Sequence, residues 1–299
     1  MEIKKISDYR ALARMCMRGS YGMGLLMILA VIAVQQIVSW LFSLAASESV
    51  VLNIAYSILS ILISIIIITP LTVGVTRFFL DQAQGKPDMT NLLYPFKTNL
   101  TNVVKVCFIK EVKQFLWYLI PWLIGMGIIA GIGAVAVHYM GSNIYSSIMD
   151  MIDGLSAMID DPNNVISDSQ ALTFSLVYLT LMGASIIFMI PGIIKAFEYS
   201  MIPYIVAENP DVRSKDAFLM TKKMMKGNKL RLFRLGLSFI GWFILGMMAF
   251  VVGTLFVLPY FSAAVSQFYI DVKCKAGFGI RPEFTEEATD SDNDTDFGI

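Results

Sequence analysis

Val51-Leu-Asn-Ile-Ala-Tyr-Ser-Ile-Leu-Ser-Ile-Leu-Ile-Ser-Ile-Ile-Ile-Ile-Thr-Pro-Leu-Thr-Val-Gly-Val-Thr76 runs for 26 residues without one charged side chain. About 20 apolar residues in helical form cross the ~30 Å hydrocarbon core of a bilayer. The stretch 51–76 therefore predicts a membrane span. The same reading extends outward to 22–44, 115–139 and 171–192. A further apolar run, about 235–270, is too long for one span; a turn at Gly253-Thr254 divides it into spans at 233–252 and 254–272. Composition agrees. Of 299 residues, 56% are hydrophobic and only 15% charged, against ~25% charged in soluble domains. Mean hydropathy is +0.66. A soluble core of one domain cannot hide so many continuous apolar runs, whereas lipid can.

Charge sets the orientation. The 23 Lys and Arg residues fall in four groups, at 1–20, 77–113, 195–234 and 273–281. The loop near Glu48 and the loop 141–170 hold none, and the second carries Asp150, Asp153, Asp160, Asp161 and Asp168. Basic residues are retained on the cytoplasmic side. Six spans place all four basic groups there, whereas five would export Lys273, Lys275 and Arg281. The expectation is a multi-pass protein of the cell membrane with both termini cytoplasmic. The first apolar run, Met23 to Leu44, exceeds a signal-peptide core and reads as an uncleaved span.

The fold class expected is all-α: a polytopic transmembrane bundle of six spans arranged as three proline-kinked hairpins, with amphipathic interfacial helices. Each hairpin opens on a basic lead-in: Arg18-Gly-Ser-Tyr-Gly, Lys97-Thr-Asn-Leu-Thr-Asn and Lys226-Gly-Asn-Lys-Leu-Arg. Each returns through a proline, at Pro70, Pro191 or Pro259, followed by aromatic residues and a carboxylate at Asp81, Glu198 or Asp271. Such a repeat suggests sites at the repeat interface, beside bent helices. Proline removes one intrahelical hydrogen bond. Three such bends around one axis would open a cytoplasm-facing cavity. Gly125, Gly127, Gly131 and Gly133 favour close helix contact, with Gly127 and Gly131 at a GxxxG spacing.

The predicted regions are a cytoplasmic amphipathic helix (1–20), the membrane domain (21–275), an acidic extracytoplasmic loop (141–170), a cytoplasmic helix (209–228) and a disordered acidic tail (280–299). Arg10, Arg14 and Arg18 recur every four residues and form a basic stripe toward anionic headgroups. Leu100, Val103, Val104, Cys107 and Phe108 form the apolar side of a similar segment. In the 209–228 helix, Asn209 reads as N-cap, Pro210 as first residue and Gly227 as the C-terminal stop. Lys222, Lys223, Lys226, Lys229, Arg231 and Arg234 then read as headgroup contacts, each worth roughly 1 kcal/mol near an anionic leaflet.

No zinc-protease, serine-hydrolase or Walker sequence is present. Cys16, Cys107 and Cys274 are far apart and read as free thiols on the reducing side. His138 has no clustered partner, so neither metal nor cofactor is implied. Arg77, Lys195, Glu198 and Asp271, near span ends, are the candidate substrate contacts. Lys195 and Glu198, three apart, could instead neutralise each other. Membrane lipids are the expected partners, and nothing points to nucleic acid.

The segment Ile190-Pro-Gly-Ile-Ile-Lys-Ala-Phe-Glu-Tyr-Ser-Met-Ile-Pro-Tyr204 leads into Ala207-Glu-Asn-Pro-Asp211, Met225-Lys-Gly-Asn-Lys229, Leu237-Ser-Phe-Ile-Gly-Trp242 and Leu258-Pro-Tyr260. With Arg18-Gly-Ser-Tyr-Gly and Phe78-Phe79-Leu80, these resemble the bacterial integral-membrane family known as domain of unknown function 975, over roughly 5–275. The resemblance implies a multi-span membrane protein and carries over no catalytic residue. A more distant likeness is to the membrane portion of some glycerophosphodiester phosphodiesterases, whose catalytic residues are not seen. The leading expectation is a non-enzymatic accessory or scaffold in envelope or lipid-linked processes. A small-solute permease with a cavity near the three prolines, or an enzyme acting on lipid headgroups, are the alternatives.

Overall fold

The computed structural model describes residues 5–44, 49–140, 187–248 and 252–279, with Met149, Asp153 and Gly183 besides. The acidic tail, nearly all of the loop 141–170, and 171–182 and 184–186 of the fourth expected span lie outside the described residues. All regular structure among the described residues is helical. The chain forms two units, Met1–Val112 with Phe197–Ile299, and Lys113–Ala196.

In chain order the helices are α1 (Ile6–Met17), α2 (Tyr21–Leu44), α3 (Val50–Ile63), α4 (Thr69–Ala83), α5 (Tyr94–Lys97), α6 (Leu100–Met140), α7 (187–199), α8 (Ile202–Glu208), α9 (Ser214–Met225), α10 (Lys229–Met248) and α11 (Val252–Lys275). A π-helical turn, Ser64–Ile68, joins α3 to α4, and a 3₁₀ turn, Met89–Leu93, precedes α5. Among the described residues, four stretches are long and apolar enough to cross a membrane: Tyr21–Leu44, Val51–Ala83, Lys229–Met248 and Gly253–Lys275.

Local chemistry explains the joints. Pro70 enters α4 two residues after the π turn. Its ring would crowd the carbonyl of Ile66, four residues back, and the wider π turn relieves this. Gly19 and Gly227 turn the chain between α1 and α2 and between α9 and α10 at φ 80° and 77°, where a Cβ would be strained. Gly227 thus ends α9 as its sequence position predicts. The start of α9 is different: the helix begins at Ser214, not after Asn209. The Asn209 side chain accepts from the Asp211 N–H (3.1 Å) to make a turn. Asn102 donates to the carbonyls of Pro210 and Val212, holding that turn against α6.

In the first unit, α11 packs closely with α10, α1, α4 and α2. α10 and α11 are two separate helices, but Gly253 and Thr254, expected at the turn, lie in the first turn of α11, which already begins at Val252. A Cβ on Gly246 would sit 2.7 Å from the Thr254 nitrogen, so only glycine allows that approach. On α4, Gly74 lies against the carbonyls of Asn91 and Leu92 for the same reason.

The buried core joins Tyr9, Ala13 and Met17 of α1, Phe78, Phe79 and Leu80 of α4, Val103, Val106 and Cys107 of α6, Ile202 and Ile205 of α8, Met224 of α9, and Phe268 and Tyr269 of α11. These belong to the amphipathic segments and the proline-distal ends of α4 and α11. The most apolar stretches, such as Ile37, Leu41 and Leu44 of α2 and Ile54, Ile58 and Ile61 of α3, are exposed. The apolar side of α1 therefore packs on protein and leaves Arg14 and Arg18 outside. In α6 the buried face is Val103, Val106 and Cys107, while Phe108 is 45% exposed.

In the second unit, Gly125 meets the Phe188 ring and Gly192 meets the Tyr118 ring, while Gln114 donates to the Gly192 carbonyl (2.9 Å). Close contact there rests on Gly125 and Gly192. A Cβ on Gly127 or Gly131 would meet nothing within 4 Å among the described residues.

Candidate functional site

The charged residues singled out in the sequence sit where helices leave the apolar region, and each engages another group. Asp271 on α11 is 2% exposed. Its carboxylate accepts from Tyr9 Oη (2.6 Å), Lys275 Nζ (2.7 Å) and Arg231 (3.2 Å). Arg231 also donates to Tyr9 Oη and to Asn228 Oδ1, and lies over the rings of Tyr9 and Phe268. One carboxylate thus ties α1, α10 and α11 together. A buried charge persists only when paired and hydrogen-bonded, and here both conditions hold. Burial pushes the Tyr9 phenol far above its ordinary range, reinforced by the Asp271 hydrogen bond. Tyr9 therefore remains a proton donor to Asp271 at any physiological pH.

Three further pairs extend this base. Glu198 pairs with Lys229 at 2.5 Å, and its carbonyl accepts from Thr221 Oγ1 (2.6 Å), joining α7, α9 and α10. Glu208 at the end of α8 accepts from Lys273 Nζ (2.5 Å) and Tyr269 Oη (2.7 Å), with Tyr204 stacked on Tyr269. Burial raises the Tyr204 phenol above its usual range. Arg77 pairs with Asp81 (3.2 Å), reaches the Ala207 carbonyl (3.3 Å) and lies over Tyr94, while Asn91 donates to Asp81.

Two buried amides fix where α1 crosses. Gln82 donates to Ser20 Oγ (2.8 Å), and Gln267 donates to Cys16 Sγ (3.1 Å) and the Ala83 carbonyl. Their Oε1 atoms find no partner among the described residues.

The structure redistributes the expected contacts. Lys195 lies over the Trp117 ring, and Glu198 takes Lys229. Lys229 and Arg231, expected on headgroups, face inward into ion pairs. Arg14, Arg18, Lys222, Lys223, Lys226 and Arg234 are exposed, and Arg10 is half-buried with its carbonyl held by Tyr260. Tyr9, Glu208, Gln82 and Gln267 also belong to this base, and local spacing does not single them out. Tyr9 meets Asp271 across 262 residues of sequence, which no local spacing reveals. The aromatic-carboxylate pattern after Pro70 and Pro259 was the usable signal, because it places Asp81 and Asp271 at equivalent helix ends.

A groove of about 650 Å³ opens in the first unit between the α1–α2 joint and the α10–α11 hairpin. None of Pro70, Pro191 and Pro259 lines it. Cys16, Cys107 and Cys274 are buried free thiols. Burial raises the Cys16 thiol, and pushes Cys107 up to about 11, so both are protonated at neutral pH. Among the described residues no group of His, Cys, Asp and Glu could hold a metal ion; the side chain of His138 lies outside them.

Apolar helices left exposed around a base of paired charges define a membrane-type α-helical protein. The chain belongs to the family described as "Protein of unknown function (DUF975)", which matches residues 1–276. No curated protein and no solved structure matches it.

Proposed function

We propose that the chain is a multi-span membrane protein that works by holding lipid or protein partners at the membrane, without a catalytic step of its own. The observation that carries this reading is the engagement of its candidate reactive charges. Arg77, Glu198 and Asp271 are bound to Asp81, Lys229 and Arg231, and Lys195 lies on Trp117. A group that binds a substrate ion or moves a proton has to be released from its partner, and breaking a buried pair costs ~3–5 kcal/mol. Groups so tied serve to join helices.

Six spans in three hairpins, with both termini in the cytoplasm, remain the topology that fits best. Four helices of spanning length support it, and the apolar stretches 115–139 and 171–192 supply two more. The basic groups then share one face. Lys222, Lys223, Lys226 and Arg234 add an exposed basic surface for anionic headgroups.

The test has two arms. Phosphatase and fluorescent-protein fusions after Ile299 should give fluorescence and no phosphatase activity; the reverse would remove the six-span topology. The purified full chain in vesicles should show neither solute uptake nor lipid turnover, and native-membrane pull-down should return defined partners. Uptake lost on Glu198→Ala, or turnover by purified protein, would replace the scaffold reading with a permease or an enzyme.

A further inference from the structure

We infer that the groove beside α1 is a binding site for one anionic phospholipid, with its phosphate between Arg14 and Arg18 and an acyl chain along Trp242, Phe256 and Val257. This rests on the membrane reading above and adds a ligand class and a place. Arg14, Arg18 and Tyr21 line one side of the groove; Trp242, Phe256 and Val257 line the other. Its ~650 Å³ lies in the range of small-ligand pockets.

Charge selects the occupant. Throughout the base, cations meet protein carboxylates: Arg231 and Lys275 at Asp271, Lys273 at Glu208, Lys229 at Glu198, Arg77 at Asp81. Arg14 and Arg18 are different. They stand four residues apart at the end of α1, are exposed, and have no ion-pair partner among the described residues. No carboxylate lines the groove. Like charges at this spacing repel, so the pair gains most from an anion shared between them. Guanidinium planes match phosphate oxygens in forked geometry. The remaining wall is aromatic and aliphatic, which a soluble anion leaves exposed and an acyl chain covers. Tyr21 Oη donates to the Phe256 carbonyl (2.7 Å), which joins the arginine side to the apolar side.

Trp242 reports on the site. The chain has four tryptophans, so Trp40→Phe, Trp117→Phe and Trp122→Phe leave it as the only one. The full chain is placed in phosphatidylcholine bilayers containing a brominated-acyl lipid, either phosphatidylglycerol or phosphatidylcholine, at equal mole fraction. The brominated anionic lipid should quench Trp242 with an apparent association roughly tenfold to thirtyfold stronger. Arg14→Gln with Arg18→Gln should bring that preference close to one while both lipids still quench. Arg14→Lys with Arg18→Lys should keep part of it. Helical content by circular dichroism confirms that each variant is folded.

Equal quenching by the two lipids in the parent chain, or a preference unchanged by the double Gln variant, would overturn the site and leave the membrane reading standing. Relief of quenching by millimolar glycerol phosphate would overturn it in favour of a soluble anion. A Trp242 that no brominated lipid quenches would remove the membrane placement of this hairpin and the site with it.

Discussion

Helices α2 and α11 have the same length, 24 residues, and opposite surroundings. Only 6% of the most apolar stretch of α2 is buried, against 61% of that of α11, although α2 is much the more apolar, at mean hydropathy 2.3 against 1.3. In water the order would be reversed, since burial follows apolar area. α11 is buried because it carries handles: Asp271, Lys273, Gln267 and the aromatic pair Phe268 and Tyr269 give α1, α4, α8 and α10 something directional to hold. α2 has no charged side chain and only Gly24 and Met27 buried. Between helices in lipid, apolar contact gives little net gain, and polar links and close packing decide association. The contrast fits hydrocarbon as the solvent of α2.

The sharpest way to break the contrast is at its polar end. Asp271→Ala leaves Arg231, Lys275 and Tyr9 in the base without their shared acceptor, and should cost ~3–5 kcal/mol. Thermal unfolding in detergent, followed by circular dichroism, should show a large fall in midpoint; a midpoint within error of the parent would mean that the base does not depend on this carboxylate. Slightly smaller is the effect at the apolar end. Ile61→Arg on the exposed face of α3 should cost ~2.5–3.5 kcal/mol of insertion, seen as a drop in the glycosylated or protected fraction in an insertion assay. The neighbouring Leu62→Ala should change little. If Ile61→Arg inserts as well as the parent, α3 faces water and the solvent assignment fails.

Cys107 distinguishes base from surface through pH. Its folded thiol is raised to about 11 from an unfolded value of 9.0. Its contribution to stability is therefore complete below pH 9 and is lost as pH rises through 11. At pH 7.5 its thiolate fraction is about a hundredfold below that of a free thiol. Iodoacetamide should label it at least that much faster after the fold is opened in SDS, by mass spectrometry of the Cys107 peptide. Equal rates before and after would place Cys107 at an accessible surface.

Much of this was legible in the chain itself, and particular residues show why. A span of lipid length needs only uninterrupted apolar residues, so 22–44 and 51–76 could be read without knowing any neighbour. Gly227 could be read as a stop because a left-handed residue after a helix is a local requirement. The start of α9 could not. Asn209-Pro210 is a sound local start, and it lost to Asn102, which binds the Pro210 and Val212 carbonyls from more than a hundred positions away. Lys229 and Arg231 read as headgroup contacts for a similar reason. Sequence gives their charge and not the direction they point, and their partners Glu198 and Asp271 are 31 and 40 residues distant.

By itself, then, the sequence determined the solvent and the kind of element: apolar length and helical propensity are properties of consecutive residues, summed along one segment. Only the tertiary structure decided which charges cancel and which remain available. Tyr9, Arg231 and Asp271 became one unit, and Arg14 and Arg18 were left beside an apolar groove, because a hydrogen bond or ion pair exists only at a distance of about 3 Å. Chain order does not encode that distance between residues on different helices.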